Sequence, residues 1–184
     1  MPKYDRVNEA VAGLSREPVV EKLARVLDPI GDELEDHRQL YDVLTGDSLT
    51  GHPIHPALVH FPIGITVGNA ALEVVGGGRF RAASTILSGI TVAVALPTAV
   101  TGLAEWTRGR LEPRQRRVGV LHAVAAATGS ALSVTSFVLR LMKHHGAARM
   151  FLFAAVAGYG TAGFLGADLV YGRDLVPGAD GESD

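Results

Sequence analysis

Gly51-His52-Pro53-Ile54-His55-Pro56-Ala57-Leu58-Val59-His60-Phe61-Pro62-Ile63-Gly64 stands where a charged N-terminal segment gives way to the first long apolar run. It holds three of the seven histidines and three of the nine prolines. Each proline lacks an N–H and restricts the residue before it, so no regular helix is expected before position 62. Pro62 itself suits a first helical turn. His52 and His55 are therefore expected on a stiff extended lead-in, and His60 at the mouth of the first membrane helix. The residues after this stretch read as a membrane body, and those before it as an arm.

The 184 residues carry a formal net charge of −2 and 47 % hydrophobic residues. The distribution matters more than the share, because charge is pushed to the ends and to short loops. Four windows stay apolar over the roughly 20 residues needed to cross about 30 Å of hydrocarbon: 57–75, 82–103, 118–139 and 147–169. The expected fold is all-α, an integral membrane four-helix bundle with an N-terminal amphipathic helical arm. Its parts are an arm at 1–50, the membrane domain at 51–176 and a polar, acidic, disordered tail at 177–184. With no cysteine, disulfides, Cys–Zn sites, iron–sulfur clusters and thiol nucleophiles are excluded. Lys3, Asp5, Arg6 and Glu9 with no short apolar core argue against a cleaved signal peptide. The mild acidity points to no nucleic-acid partner.

In the arm, Val19, Val20, Leu23, Val26, Leu27 and Ile30 recur at helical spacing. Ser15 is a candidate cap, with Glu17 and Pro18 in the first turn. Asp28-Pro29 predicts a break, after which a second helix carries Ile30, Leu34, Leu40, Tyr41, Val43 and Leu44. Its other face holds Asp32, Glu33, Glu35, Asp36 and Arg38. Surface-lying helices usually favour Lys and Arg, so this acidic face predicts docking on the bundle or on a partner protein.

Gly64 and Gly68 form a G-x-x-x-G ridge in the first span, which suits close helix approach and permits a homodimer. Asn69 and Glu73 share another face, and Gly76-Gly77-Gly78 ends the helix. Pro97 predicts a kink in the second span, with Thr98 and Thr101 near the freed carbonyls. Trp106 fits an interfacial belt, with Glu105 beside it. A basic loop follows, with Arg108, Arg110, Arg114, Arg116 and Arg117. In the third span His122, Ala126, Gly129, Ser133, Ser136 and Arg140 fall on one helix face, read as the inward one. Gly158, Gly160, Gly163 and Gly166 give the fourth span a close-packing composition, and Asp168 lies near its end.

Four crossings put the arm, the second loop and the tail on one side. Arg38, the five loop arginines and Arg173 face Arg79, Arg81, Arg140, Lys143 and Arg149 on the other, which favours cytoplasmic termini. The same topology places His60 and His122 at matching depth, about one turn in. Glu105 and Asp168 end their spans at that level, with His52 and His55 just outside. Three readings of the histidines stay open. His60 and His122 are candidate axial ligands of a haem b iron, with Gly64, Gly68 and Gly129 making room and Arg116 and Arg117 near the propionates. Alternatively, His52, His55, His60, His122, Glu105 and Asp168 supply ligands for a transition metal. In the third reading the imidazoles hydrogen-bond locally and bind no cofactor. Glu73 is expected to pair with Arg140 or His144. No hydrolase or nucleotide-binding motif occurs.

The run 51–56, continuing through Phe61-Pro62-Ile63-Gly64, resembles the signature of a family of bacterial four-span membrane proteins, domain of unknown function 2231. Thr101-Gly102-Leu103-Ala104-Glu105-Trp106, the His122 span ending in Arg140, and Gly166-Ala167-Asp168-Leu169-Val170-Tyr171 are similar to further parts of its pattern. Glu105 and Gly166-Ala167 stand where relatives often have Asp and Gly-Gly. The resemblance implies the four-helix membrane fold. Relatives joined to a Rieske-type ferredoxin hint at electron transfer, although this chain lacks that centre. The expected function is a small haem- or metal-binding subunit of the inner or plasma membrane, in contact with lipid. It would serve a redox protein or respiratory subunit, without independent catalytic activity. The alternative is an assembly subunit that docks a partner through its arm.

Overall fold

The computed structural model describes the backbone of residues 2–107 and 112–171, and their side chains from residue 9 onward except at 114 and 171. The tail expected at 177–184 lies outside the described residues, as do Arg108, Arg110 and Arg173. The described residues are helical, with no strand among them. In order they form α1 (Pro2–Ser15), α2 (Pro18–Asp36), α3 (Arg38–Thr45), the single turn α4 (His55–Leu58), α5 (His60–Gly76), α6 (Arg81–Thr107), α7 (Pro113–Leu141) and α8 (His145–Tyr171).

By length and composition three helical stretches can cross a membrane: His55–Thr107, Gln115–Leu141 and His145–Val170. The sequence predicts four separate windows. The first two merge because α5, at 17 residues, joins α6 through a 3-10 turn at Gly77–Phe80. The stretch nonetheless folds back on itself. Gly77 takes φ 50°, a left-handed value that a side chain would strain. Asn69 then meets Ser88, and Glu73 meets Ser84, so α5 and α6 run antiparallel. α6 continues unbroken through Pro97.

The inward faces of α5 and α6 are polar. Thr66, Asn69 and Glu73 on α5 are buried, as are Ser84, Ser88, Thr91, Thr98 and Thr101 on α6. At the end away from the N-terminal helices these groups close a network. Asn69 Nδ2 donates to Ser88 Oγ (3.0 Å) and to the Ser84 carbonyl (3.2 Å). The Ser84 hydroxyl sits 2.5 Å from Asn69 Oδ1 and 2.8 Å from Glu73 Oε1, so one proton is shared between two acceptors. Arg140 Nη1 donates to Glu73 Oε1 across 2.8 Å, and its side chain has no exposure. Arg140 thus leaves the loop charges counted for orientation and joins the core, and Glu73 takes Arg140 rather than the exposed His144. α7 and α8 pack through glycine. A Cβ on Gly129 would meet Tyr159, and one on Gly158 would stand 3.0 Å from Gly129 Cα.

The N-terminal helices lie against α6–α8. Val20 and Ala24 pack with Val120, and Ala12 with Val118 and Leu165. Asp28 accepts from Trp106 Nε1 (3.1 Å) and pairs with Arg116 (2.5 Å), whose guanidinium stands 5.6 Å from the Trp106 ring centroid. No break occurs at Asp28-Pro29; α2 runs through Pro29 to Asp36, and the chain turns at His37 instead. Ser15 does not cap α2. It closes α1, with its Oγ donating to the Ala12 carbonyl, and Glu17 precedes Pro18 at the start of α2.

Removing one partner of a buried ion pair leaves an uncompensated charge, whereas replacing both is far milder. Arg140→Met is therefore expected to cost about 3–5 kcal/mol. Glu73→Met with Arg140→Met should cost less than either single change. Denaturant unfolding in detergent checks this, and additive losses would contradict it.

Candidate functional site

The two most enclosed imidazoles meet at the opposite end of the bundle. His55 opens α4, the turn in which Pro56 is tolerated because an N-terminal turn needs no N–H there. Its Nδ1 lies 2.9 Å from the Thr98 carbonyl and 3.2 Å from Thr101 Oγ1 on α6. A carbonyl only accepts, so Nδ1 carries the proton and Nε2 keeps the lone pair in the neutral ring. The ring lies over Gly102, where a Cβ would stand 2.6 Å from His55 Cε1.

His122 repeats the arrangement from α7. Its Nδ1 donates to the Ala162 carbonyl on α8 across 2.8 Å, and its ring rests on Gly166, 3.1 Å from a Cβ there. The two ring centroids are 6.1 Å apart, with planes at 89°. Two imidazoles with Nδ1–H groups held by backbone carbonyls thus stand edge to face where α4, α6, α7 and α8 converge. A ring nitrogen held in this way is oriented for metal ligation or proton transfer through the other nitrogen.

The remaining expected residues are placed differently. His60 is exposed, and its Nδ1 bonds only to the Ala57 carbonyl in its own turn (3.3 Å). His60 precedes Pro62 by two residues, about 200° around the helix, so it faces away from the Pro62–Thr66–Asn69–Glu73 side. The pair is therefore His55 with His122, not His60 with His122. His52 is exposed and bonds the Thr50 carbonyl. Gly64 and Gly68 face open space on the outer side of α5, and the space at Gly129 is filled by Tyr159. Arg116 is committed to Asp28 and Trp106. Arg117 and Glu105 are half-buried, and Asp168 is buried in the last turns of α8. Among the described residues, no three His, Asp or Glu side chains are disposed to share one metal ion.

The signal for His55 was present in the sequence. Counting back from Glu73 by helical intervals passes Asn69, Thr66 and Pro62 and reaches His55 two turns earlier. The prolines concealed it by arguing for an extended lead-in.

Long apolar helices that enclose paired polar groups define an α-helical membrane protein. The chain belongs to the family described as predicted membrane protein DUF2231, whose model matches residues 51–176. That span covers α4–α8 and both imidazoles. No curated protein and no solved structure matches the chain.

Gly102→Ala drives a methyl into the His55 ring and is expected to destabilise by about 1–3 kcal/mol. Gly64→Ala meets nothing within 4 Å and gains helix propensity, so it should be neutral or stabilising by up to about 1 kcal/mol. Thermal unfolding of the two variants in one detergent compares them. Equal losses would show that the His55 ring does not lie on α6.

Proposed function

We propose that the chain is a small multi-pass membrane subunit that binds a transition-metal ion at His55 and His122 and serves membrane electron transfer. Helices α5–α8 would cross the bilayer four times, with both termini on the cytoplasmic side. One observation carries this reading: both Nδ1 atoms are committed to carbonyls of neighbouring helices, which leaves two Nε2 lone pairs on rings 6.1 Å apart. Neutral imidazole suits iron, copper, nickel and zinc, and service in electron transfer narrows this to iron or copper. Two protein ligands leave coordination positions open, and a redox partner or small ligand would complete them. The carbonyls of Thr98 and Ala162 would act as the outer shell that aims the rings.

A second reading, an assembly subunit without a cofactor, is favoured by the outer face of α2. Val19, Leu23, Val26 and Ile30 form an exposed apolar row beside the buried one.

Elemental analysis with absorption spectroscopy on protein purified from metal-replete cells separates the two. The metal reading expects near-stoichiometric iron or copper, lost in His55→Ala and in His122→Ala and kept in His60→Ala. A Soret band lost in His60→Ala would restore the haem reading. Metal-free wild type, with a co-purifying partner lost on deletion of residues 1–45, would establish the assembly role instead.

A further inference from the structure

Polar residues line the bundle interior from one end to the other. On α6 the buried residues are Ser84, Ser88, Thr91, Thr98 and Thr101, followed by Ala104. From Ser84 to Thr101 the helix rises about 26 Å, close to the roughly 30 Å of a bilayer's hydrocarbon. Thr66 on α5 lies level with Thr91, because Asn69 pairs with Ser88 in the antiparallel register. The interval from Thr91 to Thr98 is the longest on α6. Phe137 of α7 packs at Gly89, and the antiparallel register from that contact brings Ser133 and Ser130 across from the interval. Ser130 Oγ in turn lies 3.2 Å from the Tyr159 hydroxyl. The row begins at Glu73 and Arg140 and ends at His55, which contacts both Thr98 and Thr101.

Hydroxyls inside membrane helices often serve only to back-bond a carbonyl one turn earlier. Thr66, Ser88, Thr91 and Thr98 do this, donating to Pro62, Ser84, Leu87 and Val94. Each such oxygen still has a lone pair to accept a further bond. Back-bonding does not account for Ser133 or Arg140. Ser133 is 4 % exposed and Arg140 2 %, yet Ser133 Oγ, Arg140 Nε and Arg140 Nη2 have no protein partner. Both side chains lie on the inward stripe of α7. Buried donors of this kind are normally satisfied by internal water.

We propose that this seam holds a file of water molecules and conducts protons between the Glu73–Arg140 end of the bundle and the His55–His122 end. A proton entering at one end joins a water, and successive waters, held in line by the hydroxyl lone pairs, each accept one proton and release another. An equal proton leaves at the far end, so no bond in the protein is made or broken overall. Glu73 is faced by Ser84 from α6 and Arg140 from α7, with the charge of Arg149 on α8 acting on it as well. Arg140 is ion-paired with Glu73, so it adds no net positive charge to repel a proton entering beside it. The activity does not require a metal at the imidazole pair.

The full chain in phosphatidylethanolamine–phosphatidylglycerol vesicles, with entrapped pyranine and a valinomycin-set potassium potential, tests it. Wild type is expected to carry protons about tenfold faster than empty vesicles. Thr91→Val with Ser133→Ala removes two hydroxyls at little cost in shape. Because one missing link interrupts a single chain of hydrogen bonds, flux should fall about tenfold, while Gly64→Ala leaves it unchanged. Circular dichroism confirms that each variant is folded, and the single change Ser133→Ala replaces the double if the latter is not. Flux at the empty-vesicle level in wild type, or wild-type flux in the folded hydroxyl variant, would overturn the proposal.

Discussion

Hydrocarbon offers no partner to a charge, so Glu73 and Arg140 have to find each other before the helices that carry them are stable in lipid. Their 2.8 Å contact, with Ser84 bridging from α6, ties three helices at one level. It also decides which faces turn inward. With Glu73 inside, Thr66 and Asn69 are carried inside by helical spacing. With Ser84 inside, the hydroxyl row of α6 follows, and with Arg140 inside, so do Ser136 and Ser133. The polar interior is thus one consequence of a single ion pair repeated through helix geometry.

That junction also sets what meets at the other end. From Arg140 back to His122, α7 spans about 27 Å, and from Ser84 to Thr101, α6 spans about 26 Å. Two antiparallel helices joined at one end therefore bring their far residues to the same depth, where His55 and His122 are found. Glycine completes the meeting. Gly102 and Gly166 lack the side chains that would occupy the ring positions. The N-terminal helices close over this end through Asp28, which engages Trp106 and Arg116 together. One end of the bundle is therefore bound by charge, and the other by imidazole-to-carbonyl bonds under a helical cover.

Much of this organisation was legible in the residues. The His122–Arg140 stripe reads as inward from its steps alone, and Ser133, Ser136 and Arg140 are buried as it requires. Depth and charge offer Arg140 or His144 to Glu73, and the structure takes Arg140. The errors cluster at prolines, whose meaning depends on packing. Pro29 reads as a break but lies within α2, where the helix is held by the bundle beneath it. Pro56 reads as extended but opens a helical turn, which moved the imidazole of interest from His60 to His55. Gly158 and Gly166 make the close approaches that the composition of α8 predicts, Gly129 and Gly102 make others on α7 and α6, and Gly64 and Gly68 face outward. A glycine motif records where approach is allowed and does not say which helix arrives.

His55 and His122 stand ring to ring, with Nδ1 of each protonated against the Thr98 and Ala162 carbonyls. Solid-state NMR of nitrogen-15 histidine in lipid bilayers measures both parts directly, with His55→Ala and His122→Ala assigning the signals. Two neutral rings with a hydrogen on Nδ1 and a bare Nε2 are expected, joined by a cross-peak between them in metal-free protein. A cross-peak from His122 to His60 instead, or Nε2-protonated rings with no contact, would contradict it.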